Sequence, residues 1–251
     1  NIDQIYCICL DKRKSHMDNF FKKMNIKNNI YISPIIGSSL RQFSESDLVS
    51  KNILHSSNKL KSKNKIYFNK IANTLSFIKT LKFFLRTQSQ NCLIFEDDLY
   101  IPDDKELQII QFKLLMLFEK VNKDWQYINL GRCWDKSCKR PMQQYDDIYI
   151  NVQYCLPVCT HAILIKRDMA EYLVKNTFPL KFAKDVTWRR LIHEDKYWKK
   201  YSYCSIPAIF KQDRIKLGSH LGNNKVHTEN NQCNGDKHTI KRFKIIYSDL
   251  L

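Results

Sequence analysis

Apolar and polar positions along this chain switch between the period of a strand and that of a helix. Gln4 to Leu10 is a short apolar run suited to a buried strand; a charged turn, Asp11-Lys12-Arg13-Lys14, follows, and Met17, Phe20, Phe21 and Met24 then recur at helical spacing. A second run, Ile30 to Ile36, stops at Gly37 with Ser38 and Ser39 behind it, as a strand stops at a turn. The opening is therefore predicted to be strand, helix, strand. Residues 44–69 are polar and lysine-rich and read as a solvated loop or flap. Beyond them Ile71 to Arg86 carries Leu75, Ile78, Leu81, Phe84 and Leu85 on one helical side and leads into the strand-like Cys92-Leu93-Ile94-Phe95.

Pro102-Asp103-Asp104 opens another amphipathic helix through Leu107, Ile110, Leu114, Leu115 and Phe118, and Tyr127 to Leu130 is a strand ending at Gly131. Further on, Ile148 to Cys155, His161 to Ile165 and Ser202 to Phe210 read as strands, and Arg167 to Val174 and Val186 to His193 as helices. Strand and helix alternating in this way predict an α/β fold, a mostly parallel central sheet flanked by helices, with ligands at the carboxyl ends of the strands.

Composition narrows the chemistry. The chain has 251 residues, 43% of them hydrophobic, enough for a substantial core, and a formal charge of +17 that favours polyanions or phosphate-bearing ligands without choosing among them. Only five glycines are present, and neither G-x-G-x-x-G nor G-x-x-x-x-G-K-[ST] nor G-x-S-x-G occurs. A nucleotide site would need another device, such as a carboxylate-held metal bridging the phosphates. Lys79, Lys82 and Lys113 interrupt the longest apolar runs, so a soluble chain is expected, its location left open with cytoplasm and secretory pathway as the alternatives. The nine cysteines contain no C-x-x-C pair; Cys7, Cys9 and Cys92 read as buried small hydrophobes, and reduced thiols are expected, with Cys133–Cys138 or Cys155–Cys159 as alternatives in an oxidising compartment.

The strongest local feature is Glu96-Asp97-Asp98, three adjacent carboxylates placed directly after an apolar strand. Such neighbours repel one another unless solvent or a cation compensates them. At a strand end Glu96 and Asp98, two residues apart, would point to one side and hold a hard divalent cation through oxygen. An acidic strand exit that caps a helix or pairs with lysines is the plainer alternative.

Three segments in order, Ile5-Tyr6-Cys7-Ile8-Cys9-Leu10-Asp11-Lys12-Arg13, Ile71-Ala72-Asn73-Thr74-Leu75-Ser76-Phe77-Ile78-Lys79 and Leu93-Ile94-Phe95-Glu96-Asp97-Asp98-Leu99, resemble glycosyltransferase family 25, which contains lipooligosaccharide galactosyltransferases and collagen hydroxylysine glycosyltransferases. Ser205-Ile206-Pro207-Ala208-Ile209-Phe210-Lys211-Gln212, with Ser219 beyond it, is similar to the family's late segment, so the likeness spans residues ~5 to ~220. The departures are Cys9 for the usual Asn, Asn73 near a Gly-Cys pair, Phe77 for His, and His220 where an acidic residue is common.

The resemblance implies a GT-A fold in one domain over residues 1–251: a nucleotide-sugar half to about 130, an acceptor half over about 131–220 and a tail or lid over 221–251. It implies a metal-dependent inverting transferase that moves glucose or galactose from a UDP-sugar, with Mn2+ or another divalent cation. Leu10, Asp11 and Arg13 would line the uridine and ribose end, Asn73 and Ser76 the helix wall facing donor and metal strand, and Asp98 with Glu96 or Asp97 would hold the cation. His220 is the candidate late metal ligand, with His227 as competitor; Asp185 is the candidate base or acceptor-binding residue, an N-cap its alternative role, and Asp147 and Glu194 are weaker substitutes. Trp125, Trp134, Trp188 and Trp198 are candidates for stacking on a sugar or for core packing. A composition rich in Lys, Asn and Ile is similar to that of proteins from AT-rich genomes, large DNA viruses among them, and turns the expected acceptor toward hydroxylysine or galactosyl-hydroxylysine of a collagen-like protein rather than a lipooligosaccharide. A basic nucleic-acid-binding module and an inactive transferase-like protein are the readings from other classes.

Overall fold

Each buried apolar run becomes a strand, and all of them join one sheet. In the computed structural model, which describes residues 2–58, 65–131, 149–151, 159–205 and 208–218, the strands are β1 (Gln4–Ile8), β2 (Ile30–Ile32), β3 (Asn91–Glu96), β4 (Tyr127–Asn129), β5 (Tyr149–Asn151), β6 (Ala162–Lys166) and β7 (Ser202–Ser205). They lie side by side in the order β2-β1-β3-β6-β4-β7-β5. β1 runs parallel to β2 and β3, and β4 parallel to β7, but β6 is antiparallel to both its neighbours and β5 is antiparallel to β7.

The sheet is thus mixed, which corrects the expectation of a mostly parallel one. A strand buried on both faces reads as a continuous apolar run whichever way it points, so Ala162-Ile163-Leu164-Ile165 carries no sign of its direction. Nor are the two halves of the chain separate within the sheet: β6 and β7, from the second half, lie against β3 and β4 of the first.

Alternation along the strands sorts the core into two faces. Tyr6, Ile8, Cys92, Ile94, Ile163 and Ile165 pack with Phe77, Ile78 and Leu81 of α3 (Lys65–Leu85), with Met169 and Leu173 of α5 (Arg167–Asn176), and with Trp188 and Ile192 of α6 (Lys184–Glu194). On the opposite face Cys7, Leu93, Phe95, Ile128 and Leu164 pack against Met17, Phe20 and Phe21 of α1 (Lys14–Lys23) and Leu117 of α4 (Asp104–Lys120). Edge-to-face contacts at 5.5 Å between Phe20 and Phe95 and 5.1 Å between Phe95 and Phe210 tie that layer together.

The expected loop over 44–69 is largely ordered structure. Ser44 and Asp47 form a capping box for the short helix α2 (Glu45–Ser50), and Leu48 and Leu54 are buried with Tyr67 and Ile71 in a third cluster. α3 begins at Lys65 rather than Ile71. The S-x-x-D spacing of Ser44 and Asp47 signals this helix start, and Lys59, Lys61 and Lys63 of the expected flap lie outside the described residues.

The expected strand over 202–210 is shorter: β7 ends at Ser205, and Leu130 O accepts from the backbone N–H groups of Ile209 and Phe210, turning 208–213 back across the carboxyl ends of the sheet. Cys7, Cys9, Cys92 and Cys204 are free and buried, whereas Cys159 is disulfide-bonded, against the expectation of reduced thiols throughout. Among the described residues no helix is long and apolar enough to cross a membrane.

Candidate functional site at the carboxyl end of the third strand

Parallel pairing sets Ile8 opposite Glu96, so β1 and β3 deliver Leu10 and the acidic trio to the same edge of the sheet. The trio does not act as a unit. Alternation sends Glu96 toward the α3 and α6 face and Asp97 toward the α1 face, and each of the three carboxylates meets a different partner.

Asp97 is absorbed by the first turn. Its Oδ2 accepts from the Leu10 N–H at 2.8 Å, and its Oδ1 accepts from Nη1 of Arg13 at 2.8 Å. Arg13, 6% exposed, also donates through Nη2 to the Leu217 carbonyl at 2.7 Å and the Gly218 carbonyl at 3.3 Å. Asp11 opens the same 3-10 turn (Asp11–Arg13) and is exposed. Of the expected uridine-side residues, then, Leu10 and Arg13 are committed to Asp97, and Asp11 faces solvent.

Glu96 meets a buried lysine. Nζ of Lys184, in the first turn of α6, lies 3.3 Å from Oε1 of Glu96 and 2.9 Å from the centroid of the Phe77 ring; Nδ2 of Asn73 lies 3.5 Å from the same oxygen. Burial opposes the charge on Glu96, but the Lys184 ammonium, His161 and hydrogen bonds from Lys184 and Asn73 outweigh it and hold the carboxyl below its ordinary range. At Lys184 burial wins and brings the ammonium down to about 8 against the pull of Glu96.

Among the described residues Asp98 is hydrogen-bonded through its side chain to a neutral amide. Nε2 of Gln212 sits 2.9 Å from each of its oxygens, while its backbone carbonyl accepts from the Asp213 N–H at 2.7 Å. Burial first, then the charge of Glu96, pushes the Asp98 carboxyl up to about 7 despite the hydrogen bond from Gln212. Residues 208–213 are laid across this corner by further ties: the Tyr100 N–H donates to Lys211 O, and the His161 ring bonds Phe210 O at 2.9 Å. A cleft of about 170 Å³ lies beside it, between α4 and this segment, walled by Tyr100, Pro102, Ile110 and Ile209.

Asn73 is on the helix wall as expected, but Ser76 is not turned to the acidic corner: its Oγ donates to Ala72 O at 2.7 Å and accepts from the Ile35 N–H at 2.8 Å, fastening α3 to the end of β2. Asp185, next to Lys184, is not an N-cap, because Ala183 holds that position. Its carboxylate instead accepts from its own Val186 N–H at 2.9 Å and from the Cys159 N–H at 3.3 Å, beside the left-handed backbone of Cys159 (φ 67°). Glu194 closes the far end of α6 and is exposed.

The tryptophans separate by position. Trp188 is 1% exposed, donates from Nε1 to Thr177 Oγ1 at 2.9 Å and packs edge-on against Phe77, so it is core. Trp125 and Trp198 precede β4 and β7 and lie at the opposite ends of those strands from the acidic corner. Trp134, Asp147, His220 and His227 lie outside the described residues.

Lys184 and Phe77 were not singled out together by sequence reasoning, although a lysine at a helix start is locally unfavourable and was the available signal. Gln212 stood in a recognised segment without a role. Among the described residues no group of three or more His, Cys, Asp or Glu side chains has the arrangement of a metal site. Asp98 is a buried carboxylate whose ionisation the neighbouring Glu96 opposes, and among the described residues its side-chain hydrogen bonds come from the neutral amide of Gln212. No family model matches the chain, and no curated protein matches it.

Proposed function

We propose that this chain is a metal-dependent, inverting glycosyltransferase of GT-A type that moves glucose or galactose from a UDP-sugar to an acceptor hydroxyl, with hydroxylysine or galactosyl-hydroxylysine of a collagen-like protein as the acceptor. One observation carries the reading. Among the described residues, two of three adjacent carboxylates at a strand's carboxyl end are ion-paired, and the third, Asp98, is held by the neutral amide of Gln212. A protein that wanted only a stable turn has no reason to bury that third charge next to Glu96.

In this reading Asp98 and Glu96 hold the divalent cation, with His220 as the proposed further ligand. When bound, the cation neutralises the charge that leaves with UDP. Leu10 and the 3-10 turn form the floor of the uridine side, and Arg13 fixes that floor by fastening Asp97. Asn73 orients Glu96 from the helix wall. Asp185 takes the proton of the attacking hydroxyl, and its weaker bond, 3.3 Å from the Cys159 N–H, is the one it gives up to do so. A lipooligosaccharide-type acceptor would use the same donor side, because the acceptor is chosen by contacts elsewhere in the site.

The test is UDP release from UDP-glucose, UDP-galactose and other UDP-sugars, with Mn2+ or EDTA, and with galactosyl-hydroxylysine or lactose-type acceptors. Metal-dependent, donor-selective release is expected. No turnover with any donor, joined to no UDP binding, would overturn the assignment in favour of a basic binding protein.

A further inference from the structure

Arg13 and Arg167 are both drawn into the fold and both tied down. Arg13 pairs with Asp97 and donates to two backbone carbonyls, and Arg167 donates to the carbonyls of Leu85, Thr87 and Ser89. Arg189 of α6 is drawn in without such ties. It is half-buried, its Nε–H is shut off from solvent with no acceptor, and none of the ion pairs among the described residues includes it. A desolvated donor without an acceptor is unfavourable, so its presence points to an acceptor supplied from outside the chain.

Its place in the helix says where that acceptor binds. α6 turns Lys184, Trp188 and Ile192 into the core, and Asp185 and Arg189 follow one another along the flank of that stripe, one turn apart. An acid four residues before a base is the favourable order for a helix ion pair. The pair is not formed, because the Asp185 carboxylate is turned to the Val186 and Cys159 N–H groups. α6 thus carries a carboxylate and a guanidinium side by side, the second left for another partner.

We propose that Arg189 is a specificity-determining residue that binds a carboxylate of the acceptor, the side chain of an Asp or Glu close to the modified hydroxylysine of a collagen-like peptide. The inference rests on the transferase reading for its acceptor, and on the Arg189–Asp185 arrangement for its content. The Nε–Nη edge of a guanidinium is a planar two-donor fork that matches a carboxylate. A phosphate dianion fits less well, because Asp185 stands one turn away and opposes a second negative charge. Four residues of helix span about 6 Å, and an extended or polyproline-type chain advances roughly 3 Å per residue. An acid two residues from the hydroxylysine therefore reaches Arg189 while the hydroxyl faces Asp185.

The experiment is equilibrium binding, by fluorescence anisotropy, of labelled hydroxylysine peptides to the full chain without donor. The peptides carry Glu or Gln two residues from the hydroxylysine, and wild type is compared with R189K and R189M. Wild type is expected to bind the Glu peptide at least about tenfold more tightly than the Gln peptide, on the scale of a charge-assisted hydrogen bond. R189M should bring the two affinities within about twofold of each other, and R189K should keep part of the difference. A wild type that binds neither peptide or does not distinguish them would overturn the proposal, as would an R189M variant with the ratio intact. Tighter binding of a carboxylated or phosphorylated oligosaccharide than of the Glu peptide would overturn it too, by moving the anion to a glycan. Thermal unfolding gives a second reading: R189M is expected to melt no lower than wild type, since no ion pair is lost, and a clear drop would show that Arg189 serves the fold instead. Failure of the transferase reading would look different, with the Glu peptide bound through Arg189 but no UDP released from any UDP-hexose.

Discussion

A single amide nitrogen, Nε2 of Gln212, lies 2.9 Å from both carboxylate oxygens of Asp98 and bridges the segment after β7 to the end of β3. The contact is neutral on one side, so it supplies Asp98 with a hydrogen-bond donor without answering its charge. That imbalance shows in the acidity of the group, raised to about 7 by burial and by Glu96.

A pH dependence follows with a definite sign. The folded-state value of Asp98 lies above its unfolded one, so the folded protein holds the proton more tightly, and this group's favourable contribution is full below about pH 4 and lost as pH rises through about 7. Melting temperatures of wild type and D98N, taken from pH 4.5 to 8, should diverge over that window, the wild type falling relative to the variant and levelling off above it. Parallel curves would show that Asp98 ionises normally.

Arg13 and Asp97 form the tightest buried ion pair of the corner, at 2.8 Å with side chains 7% and 12% exposed. Removing one partner strands the other charge, which costs about 3–5 kcal/mol for buried pairs. R13M should lose stability on that scale in urea unfolding. The variant should also speed hydrogen exchange at the Leu10 amide, whose acceptor is the same carboxylate. A loss under about 1 kcal/mol would mean that the pair is solvated in solution.

Much of this was legible beforehand, and the failures have physical causes. The strands at Gln4–Ile8 and Asn91–Glu96 and the helices that flank them follow from run length and period alone, and the acidic strand exit stood out as a candidate. Strand direction was not, since Ile163 and Leu164 are buried on both faces and would look the same in a parallel sheet. The short helix α2 was hidden because its six residues are polar apart from Leu48 and Val49, too few apolar positions to show a helical period. Within the site, adjacency in sequence suggested that Glu96, Asp97 and Asp98 share one task, whereas alternation of side chains sends them to three partners. Those partners, Lys184, Arg13 and Gln212, lie 84 to 114 residues away, a distance over which only the fold speaks.

Trp188 belongs to the core rather than to a sugar-binding platform. W188A should cost about 3–5 kcal/mol through the lost ring and the cavity left against Phe77, and W188F only about 1 kcal/mol, for the hydrogen bond to Thr177. Denaturant titration of both variants checks this. Equal small losses would place the ring at a surface.

Gly131 is a contact-limited position. A Cβ there would come within 2.4 Å of the His161 ring and 3.0 Å of the Ala162 backbone nitrogen, next to the bond that His161 makes to Phe210 O. G131A is expected to destabilise the protein by about 1–3 kcal/mol, the usual cost of overpacking, and to loosen residues 208–213, read as faster exchange of the Asp213 amide. Unchanged exchange there would disconnect Gly131 from the corner.

The central claim, that the corner around Asp98 turns over a UDP-hexose, is tested most directly by measuring UDP release from UDP-glucose and UDP-galactose by wild type and D98N side by side with Mn2+. D98N keeps a hydrogen-bond acceptor for Gln212 but removes the charge. The account predicts release by wild type and a loss of at least about a hundredfold in D98N, on the scale seen when a group that stabilises developing charge is removed. Full activity in D98N, or a wild type that neither releases nor binds UDP, would contradict it.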